Sequence, residues 1–214
     1  KELLKNFKGF LQTDGYSVYD IFDNQKITLL HCMAHARRKF DEAKNNDSVR
    51  AEYVLKQMRE LYAIERRAKE LAFDFEKRKE LRQKESLPIL DELYNWFKDN
   101  ITQVLPQSAI GNAIAYSLSR WDKLKVYTQD GHLEIDNNLV ENSIRPVAIG
   151  RKNYLFAGSH EGARRAAMIY SLLGTCKKNN VDPYAWLRDV LTRLPDHKAN
   201  QLDQLLPNNW APLK

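Results

Sequence analysis

Cysteine is scarce in this chain: its 214 residues hold two, Cys32 and Cys176. Two are too few for a disulfide framework, and both read as buried thiols. Long apolar runs are missing as well. No stretch approaches the roughly 18 apolar residues that suggest a membrane span. The opening Lys1-Glu2-Leu3-Leu4-Lys5 has neither an apolar leader core nor a small-residue cleavage site. These absences point to a soluble cytoplasmic protein with no membrane partner. Glycine is sparse at eight residues, and no Gly-Lys-Ser or Gly-Lys-Thr loop occurs, so no nucleotide cofactor is implied. Neither an internal repeat nor a low-complexity segment is present.

What the chain does have is charge, unevenly placed. It is 43% hydrophobic and 29% charged, long enough to bury one or two cores, and its net charge is +6. Between Asn142 and Lys178 stand Arg145, Arg151, Lys152, Arg164, Arg165, Lys177 and Lys178 against the single acid Glu161, so the whole excess resides in that window. A local excess of this kind suits a polyanionic partner, because cations that neutralise phosphates release condensed counterions. A solvated basic face is the alternative.

Periodicity organises the rest. Residues 7–13 alternate like a strand that ends at Asp14-Gly15, with Phe10, Gln12 and Asp14 on one face. After the turn-like Asp23-Asn24, residues 26–30 form a second strand and residues 32–45 a helix, a β, turn, β, α start. From Ser48 to about Lys84 apolar residues recur at helical steps through Ala51, Val54, Met58, Leu61, Ala68 and Leu71. The charged run Glu76 to Glu85 reads as a solvated helix face or a mobile connection without functional weight. Further helices are expected over residues 87–101 and 108–124, the latter with Ser108 as N-cap. Asp130-Gly131 leads into an extended piece, His132 to Ile135. A helix begins near Asp136 to Asn138 and ends before Pro146, residues 147–158 are extended or irregular, and helices follow over residues 161–179 and 183–194. The tail shows no clear period.

Several residues are candidates for chemistry. Asp14 at a strand end and Glu141 near a helix start are carboxylates that folding could bring together around magnesium or manganese, hard cations that prefer oxygen. The plainer readings are a turn at Asp14-Gly15 and a capping box from Asn138 to Glu141. His31 and His35 stand four apart on the expected helix, but Cys-Met-Ala between them supplies no general base, so packing or hydrogen bonding is favoured over zinc, with His35 left open. Arg37-Arg38-Lys39 reads as surface charge or a phosphate contact. Gly150-Arg151-Lys152-Asn153 interleaves with Tyr154 and Phe156 as in a nucleic-acid groove, or Tyr154 to Phe156 is a buried strand with a basic approach.

The blocks "LQTDGYSVYD", "CMAHARRKFDEA", "LYAIERRA", "SLSRWDKL", "LLPNNW" and the long stretch "GHLEIDNNLVENSIRPVAIGRKNYLFAGSHEGARRAAMIYSLLGTCKKNNVDPYAWLRDVL" resemble, in the right order, the C-terminal part of insertion sequence 66 family transposases. The resemblance implies an Asp-Asp-Glu transposase: an α/β fold with a partial ribonuclease-H-like core and a large helical insertion, mostly α-helical by residue count. Residues 1–45 would carry part of the core and 46–128 the insertion. Residues 129–180 would complete the core with the Glu and basic block, and 181–214 form a C-terminal helix and tail.

By the same resemblance Asp14 matches the second catalytic Asp and Glu141 the catalytic Glu, both metal ligands. Asp136, Asn137 and Asn138 match an Asp-Asn-Asn motif that supports the site, and His35 is a further supporting candidate outside the matched motifs. Arg145, Arg151, Lys152 and Asn153 match a polar block that contacts DNA or supports the site; Arg164 and Arg165, from the basic window, are further candidates for DNA contact. Three carboxylates would hold two Mg2+ or Mn2+ ions about 3.5 to 4 Å apart. The partners would be transposon-end and target DNA, and further copies of the full-length protein. The family's first Asp lies in an Asp-Glu-Thr motif, which the resemblance places upstream of Lys1, so that this chain alone is inactive. Two other readings remain: a DNA-binding module without chemistry, and an assembly fragment with an exposed sheet edge.

Overall fold

The computed structural model describes residues 4–24, 26–154 and 156–212. Leu155, in the stretch read as extended, falls outside the described residues, as do Lys1 to Leu3, Gln25 and the last two residues of the tail. The fold is mostly helical with, among the described residues, one small parallel sheet, and it divides into two compact units, Lys1–Leu139 and Val140–Lys214.

In the first unit, strands β1 (Gly9–Thr13) and β2 (Ile27–His31) pair in parallel, Gly9 opposite Ile27 and Thr13 opposite His31. The link between them is therefore a crossover rather than the expected turn: Asp14 to Lys26, with a 3-10 segment at Ser17–Phe22, is about the dozen residues that a parallel connection needs. Helix α1 (Met33–Glu42) leaves the C-terminal end of β2, and α2 (Ser48–Glu70) follows, capped by Asp47, whose carboxylate takes the Arg50 amide. Then come α3 (Phe75–Leu81), a single π turn (Arg82–Ser86), α4 (Leu87–Asn100), α5 (Ala109–Ser119) and α6 (Trp121–Lys125). Ser108 does cap α5 through the Gly111 amide. Residues 132–135, expected to be extended, form no strand; bends there follow Asp130, whose side chain accepts the His132 amide.

The helical block does not stand apart from the strands. Leu30, Met33 and Phe40 share one continuous core with Met58, Leu93, Phe97, Ile114, Trp121 and Ile135. Phe40 stacks on Phe97 at 5.5 Å and Trp121 meets Phe97 edge-on at 5.4 Å, contacts worth about 0.5–1.5 kcal/mol each beyond their burial.

The second unit holds α7 (Asn138–Tyr154), which begins just before it, then α8 (His160–Lys178) and α9 (Pro183–Arg193). Ser159 and Asp182 cap the last two helices through the amides of Gly162 and Ala185. Among the described residues its buried side chains are Cys176, Trp186, Leu205 and Pro207, and the Trp186 indole donates to the Leu205 carbonyl at 2.8 Å. Among the described residues no helix is long and apolar enough to cross a membrane.

Candidate functional site

Asp14 is the first residue beyond β1, and its carboxylate is exposed. One oxygen, Oδ1, accepts the Tyr16 amide at 3.0 Å, a local turn that short acidic side chains favour. Oδ2 takes no donor from the described residues. Thr13 Oγ1 accepts the Gly15 amide at 3.3 Å, and Gly15 has φ +84°, a left-handed conformation in which glycine pays no steric penalty.

The motif from Asp136 to Asn138 lies at the same end of the sheet. The Cys32 amide donates to the Thr13 carbonyl at 3.0 Å, the Met33 amide to the Ile135 carbonyl at 3.0 Å, and the Asn137 amide to Cys32 Sγ at 3.5 Å. Gln12 Nε2 adds a bond to the Glu134 carbonyl at 2.9 Å. The carboxylate of Asp136 gathers the Tyr62 hydroxyl at 3.0 Å, the Asn138 amide at 3.1 Å and Asn138 Nδ2 at 2.8 Å. An acid in that position favours the start of α7 through the helix dipole. Burial, first, and the Asp136 charge push the Tyr62 phenol above its usual range, so its hydroxyl stays protonated as a donor.

The two histidines do not share a helix, contrary to expectation. His31 closes β2 and is buried, whereas His35 stands half-buried in the first turn of α1. Burial, helped by Lys123 and Arg120, lowers the His31 pKa to about 4, and its Nδ1 finds no hydrogen-bond partner among the described residues. Among those residues no group of three or more His, Cys, Asp or Glu could hold a metal ion.

Glu141 occupies the first turn of α7 and is exposed. The helix was expected to end before Pro146, with residues 147–158 extended or irregular; instead α7 runs through Pro146 to Tyr154, and residues 156–158 are irregular. A proline ring there removes one hydrogen bond, to the Asn142 carbonyl, at a cost of about 3 kcal/mol, but the turns on either side continue. Tyr154 and Phe156 are exposed, so they form no buried strand. At about 100° per residue Glu141, Arg145 and Lys152 fall within about 40° of one another on a single face. Asn142, Arg145, Pro146, Ile149, Gly150 and Asn153 line an open groove of about 410 Å³ beside it. Arg145, Arg151 and Lys152 are exposed, and none has an ion pair among the described residues. On α8, Arg164 lies 3.8 Å from Glu161, both well exposed, and Arg165 Nε donates to the Glu161 carbonyl.

The charged run from Glu76 to Glu85 is not simply solvated, as the sequence suggested. Arg82 is fully buried: Nε and Nη2 meet the Glu65 carboxylate at 2.8 and 2.7 Å, and the remaining N–H groups reach the carbonyls of Tyr127, Asp130 and Leu133 at 2.8 Å each. Arg78 bridges Glu65 and Glu134, at 2.8 Å to each. Burial works to raise the Glu65 carboxyl, but the two guanidinium groups outweigh it and hold it below the ordinary range. Sequence reasoning also passed over Tyr116 and Arg120, which touch the Asp14 loop; their only signal was that Arg120 sits in the "SLSRWDKL" block.

Residues 1–165 match the family described as "Transposase IS66 family" and residues 171–208 the "IS66 C-terminal element"; the chain belongs to that family. Two proteins of Sinorhizobium fredii, both described as uncharacterized, are similar along nearly the whole chain. Protein y4jD is 38% identical over 97% of this chain and 42% of its own length, and y4qI is 39% identical over 98% and 40%. The uncharacterized protein YuaK of Escherichia coli is 43% identical over 23% of this chain and 52% of its own length. The chain thus spans about two fifths of the length of y4jD and y4qI. No solved structure matches it.

Proposed function

We propose that this chain is the C-terminal part of a transposase that cleaves and joins DNA strands, with Asp14 and Glu141 as two of its metal-holding carboxylates and the first catalytic Asp lying upstream. The observation that carries this reading is the family match along nearly the whole chain, joined to an exposed Asp14 at the C-terminal end of a parallel strand. The parallel pair would then belong to a ribonuclease-H-like core, with residues 46–128 inserted into it. A sheet of two strands is marginal by itself, which agrees with a core completed by further strands.

The donor set suits magnesium or manganese. Asp14 and Glu141 are oxygen ligands, both exposed, and hard cations choose such oxygens over sulfur or imidazole. When bound, two such ions supply Lewis-acid charge for in-line phosphoryl transfer. The protein's own part is placement and neutralisation. Asp14 and Glu141 present the carboxylates; Asp136, Asn137, Asn138 and His35 support the ground around them. Arg145, Arg151, Lys152, Asn153, Arg164 and Arg165 take DNA phosphates and hold the strand in register, where correct positioning is worth several powers of ten in rate. The complete protein would act on transposon ends and target DNA as a homo-oligomer in the cytoplasm.

Glu141→Gln in the complete transposase tests this. Strand cleavage of end DNA in Mg2+ should disappear while DNA affinity stays within about twofold, since an amide keeps the shape and loses the ligand charge. Cleavage at the parental rate would reject the assignment. The reading of the chain as a DNA-binding fragment without chemistry is favoured by the α7 cations, which stand outside any ion pair among the described residues. It predicts binding without any effect of this substitution.

A further inference from the structure

The loop that carries Asp14 is held from outside the sheet. Two successive carbonyls are each taken by a side chain of the helical block: Tyr116 on α5 donates its hydroxyl to the Asp14 carbonyl at 3.2 Å, and Arg120, at the end of α5, donates Nη2 to the Gly15 carbonyl at 3.3 Å. The two clamps brace one another, since the Arg120 guanidinium lies 4.2 Å from the Tyr116 ring centre, with the Lys39 ammonium 5.0 Å from the same ring. Gly15 lets them come this close, because a Cβ there would stand 3.1 Å from both Arg120 Nε and the Tyr116 hydroxyl. Arg120 Nε is itself buried without a partner among the described residues. Leaving a donor unsatisfied is unfavourable, so the guanidinium is placed there for its other contacts. Inside the loop, the Gly15 and Tyr16 amides bond to Thr13 Oγ1 and Asp14 Oδ1. Backbone and carboxylate are thus fixed together, and where the backbone sits decides where the carboxylate points.

We infer that Tyr116 and Arg120 are positioning residues for Asp14, through which the helical block sets the placement of its carboxylate toward a divalent ion. The inference rests on the reading of Asp14 as a metal ligand. It gives the insertion a role in the chemistry that its length and helical period do not reveal. Partners that orient a metal ligand without touching the metal are commonly worth about 10- to 100-fold in metal affinity or activity.

The test uses the complete transposase carrying Tyr116→Phe, Arg120→Lys or Arg120→Ala, with Asp14→Asn as the reference. Three quantities are read: the Mn2+ concentration for half-maximal strand cleavage, amide hydrogen exchange of the peptide spanning residues 11–19 without metal, and the thermal midpoint. Tyr116→Phe should raise the Mn2+ requirement about 10-fold and speed exchange in that peptide, with maximal cleavage largely recovered at saturating Mn2+. Arg120→Ala should behave likewise, and Arg120→Lys should restore part of the loss. A parental Mn2+ requirement in Tyr116→Phe, with or without a lowered midpoint, would overturn the inference so long as Asp14→Asn is inactive. Cleavage by Asp14→Asn would instead remove the metal-ligand reading, and the inference with it.

Discussion

Arg82 shows how far one side chain can organise a fold. All five of its N–H groups are used, two on Glu65 and three on backbone carbonyls from the segment between α6 and α7. Arg82→Ala would leave three carbonyls without that donor and the buried Glu65 carboxylate with Arg78 alone, and a loss of about 3–5 kcal/mol is expected in urea denaturation. Arg82→Lys should recover only part of it, because three ammonium donors cannot match a planar fork of five. His31 sets a second residue-scale expectation. Its pKa is lowered on folding, from about 6.5 to about 4, so between those values the unfolded chain binds the proton and the folded one does not. Stability should therefore fall as pH drops from about 6.5 to about 4, by at most about 3 kcal/mol, and stop falling on this account below that. His31→Gln should flatten the decline in that window, measured as urea midpoints across pH. Glu65, whose carboxyl is held low by Arg82 and Arg78, contributes stability that is present above its unfolded pKa and lost further into acid, so that part of the decline should survive the substitution.

At the scale of elements, α7 is the most informative. Pro146 sits inside it, where the missing N–H and the ring clash oppose helix. Pro146→Ala should stabilise α7 by up to about 3 kcal/mol, seen as slower amide exchange over residues 142–150; unchanged exchange would mean that the helix is already strained elsewhere. This element also shows what the sequence could and could not disclose. Helices α2, α4, α5, α8 and α9 were legible because their apolar residues recur at helical steps and because Ser108 and Pro183 mark their starts. The end of α7 was misread because proline is a strong local breaker, and only the continuity of the turns around it overrides that signal. The parallel pairing of β1 and β2 was hidden for a different reason. Two short strands near a turn signal resemble a hairpin, and the direction of pairing is set by how residues 14–26 cross over, which periodicity does not encode. Arg78 and Arg82 were misjudged in the same way, since a charged run looks solvated until Glu65 and the carbonyls around it are placed opposite. Asp14 and the Asp136 to Asn138 turn were visible as residues, but their placement at one end of the sheet came only from the bonds of Cys32, Met33 and Asn137.

For the molecule as a whole, charge and fold coincide in an uneven way. The net excess lies between Asn142 and Lys178, which falls inside the second unit, while the rest of the chain is balanced. Cations that are merely solvated would influence DNA only through total charge, wherever they stand. A phosphate interface makes a sharper demand: the slope of log affinity against log salt should depend on these residues and not on others. Replacing Arg145, Arg151 and Lys152 by Gln should make that slope shallower by about 0.9 for each duplex phosphate that is no longer neutralised, measured by fluorescence anisotropy on end DNA. Replacing Lys56 and Arg59, which are exposed on α2, should leave it unchanged. Equal effects from both sets would mean that DNA sees only the total charge, and α7 would lose its claim to the interface. A slope that responds to α7 alone would establish that this helix meets the phosphates, and two of its three replaced cations, Arg145 and Lys152, share a face with Glu141, the carboxylate assigned to chemistry.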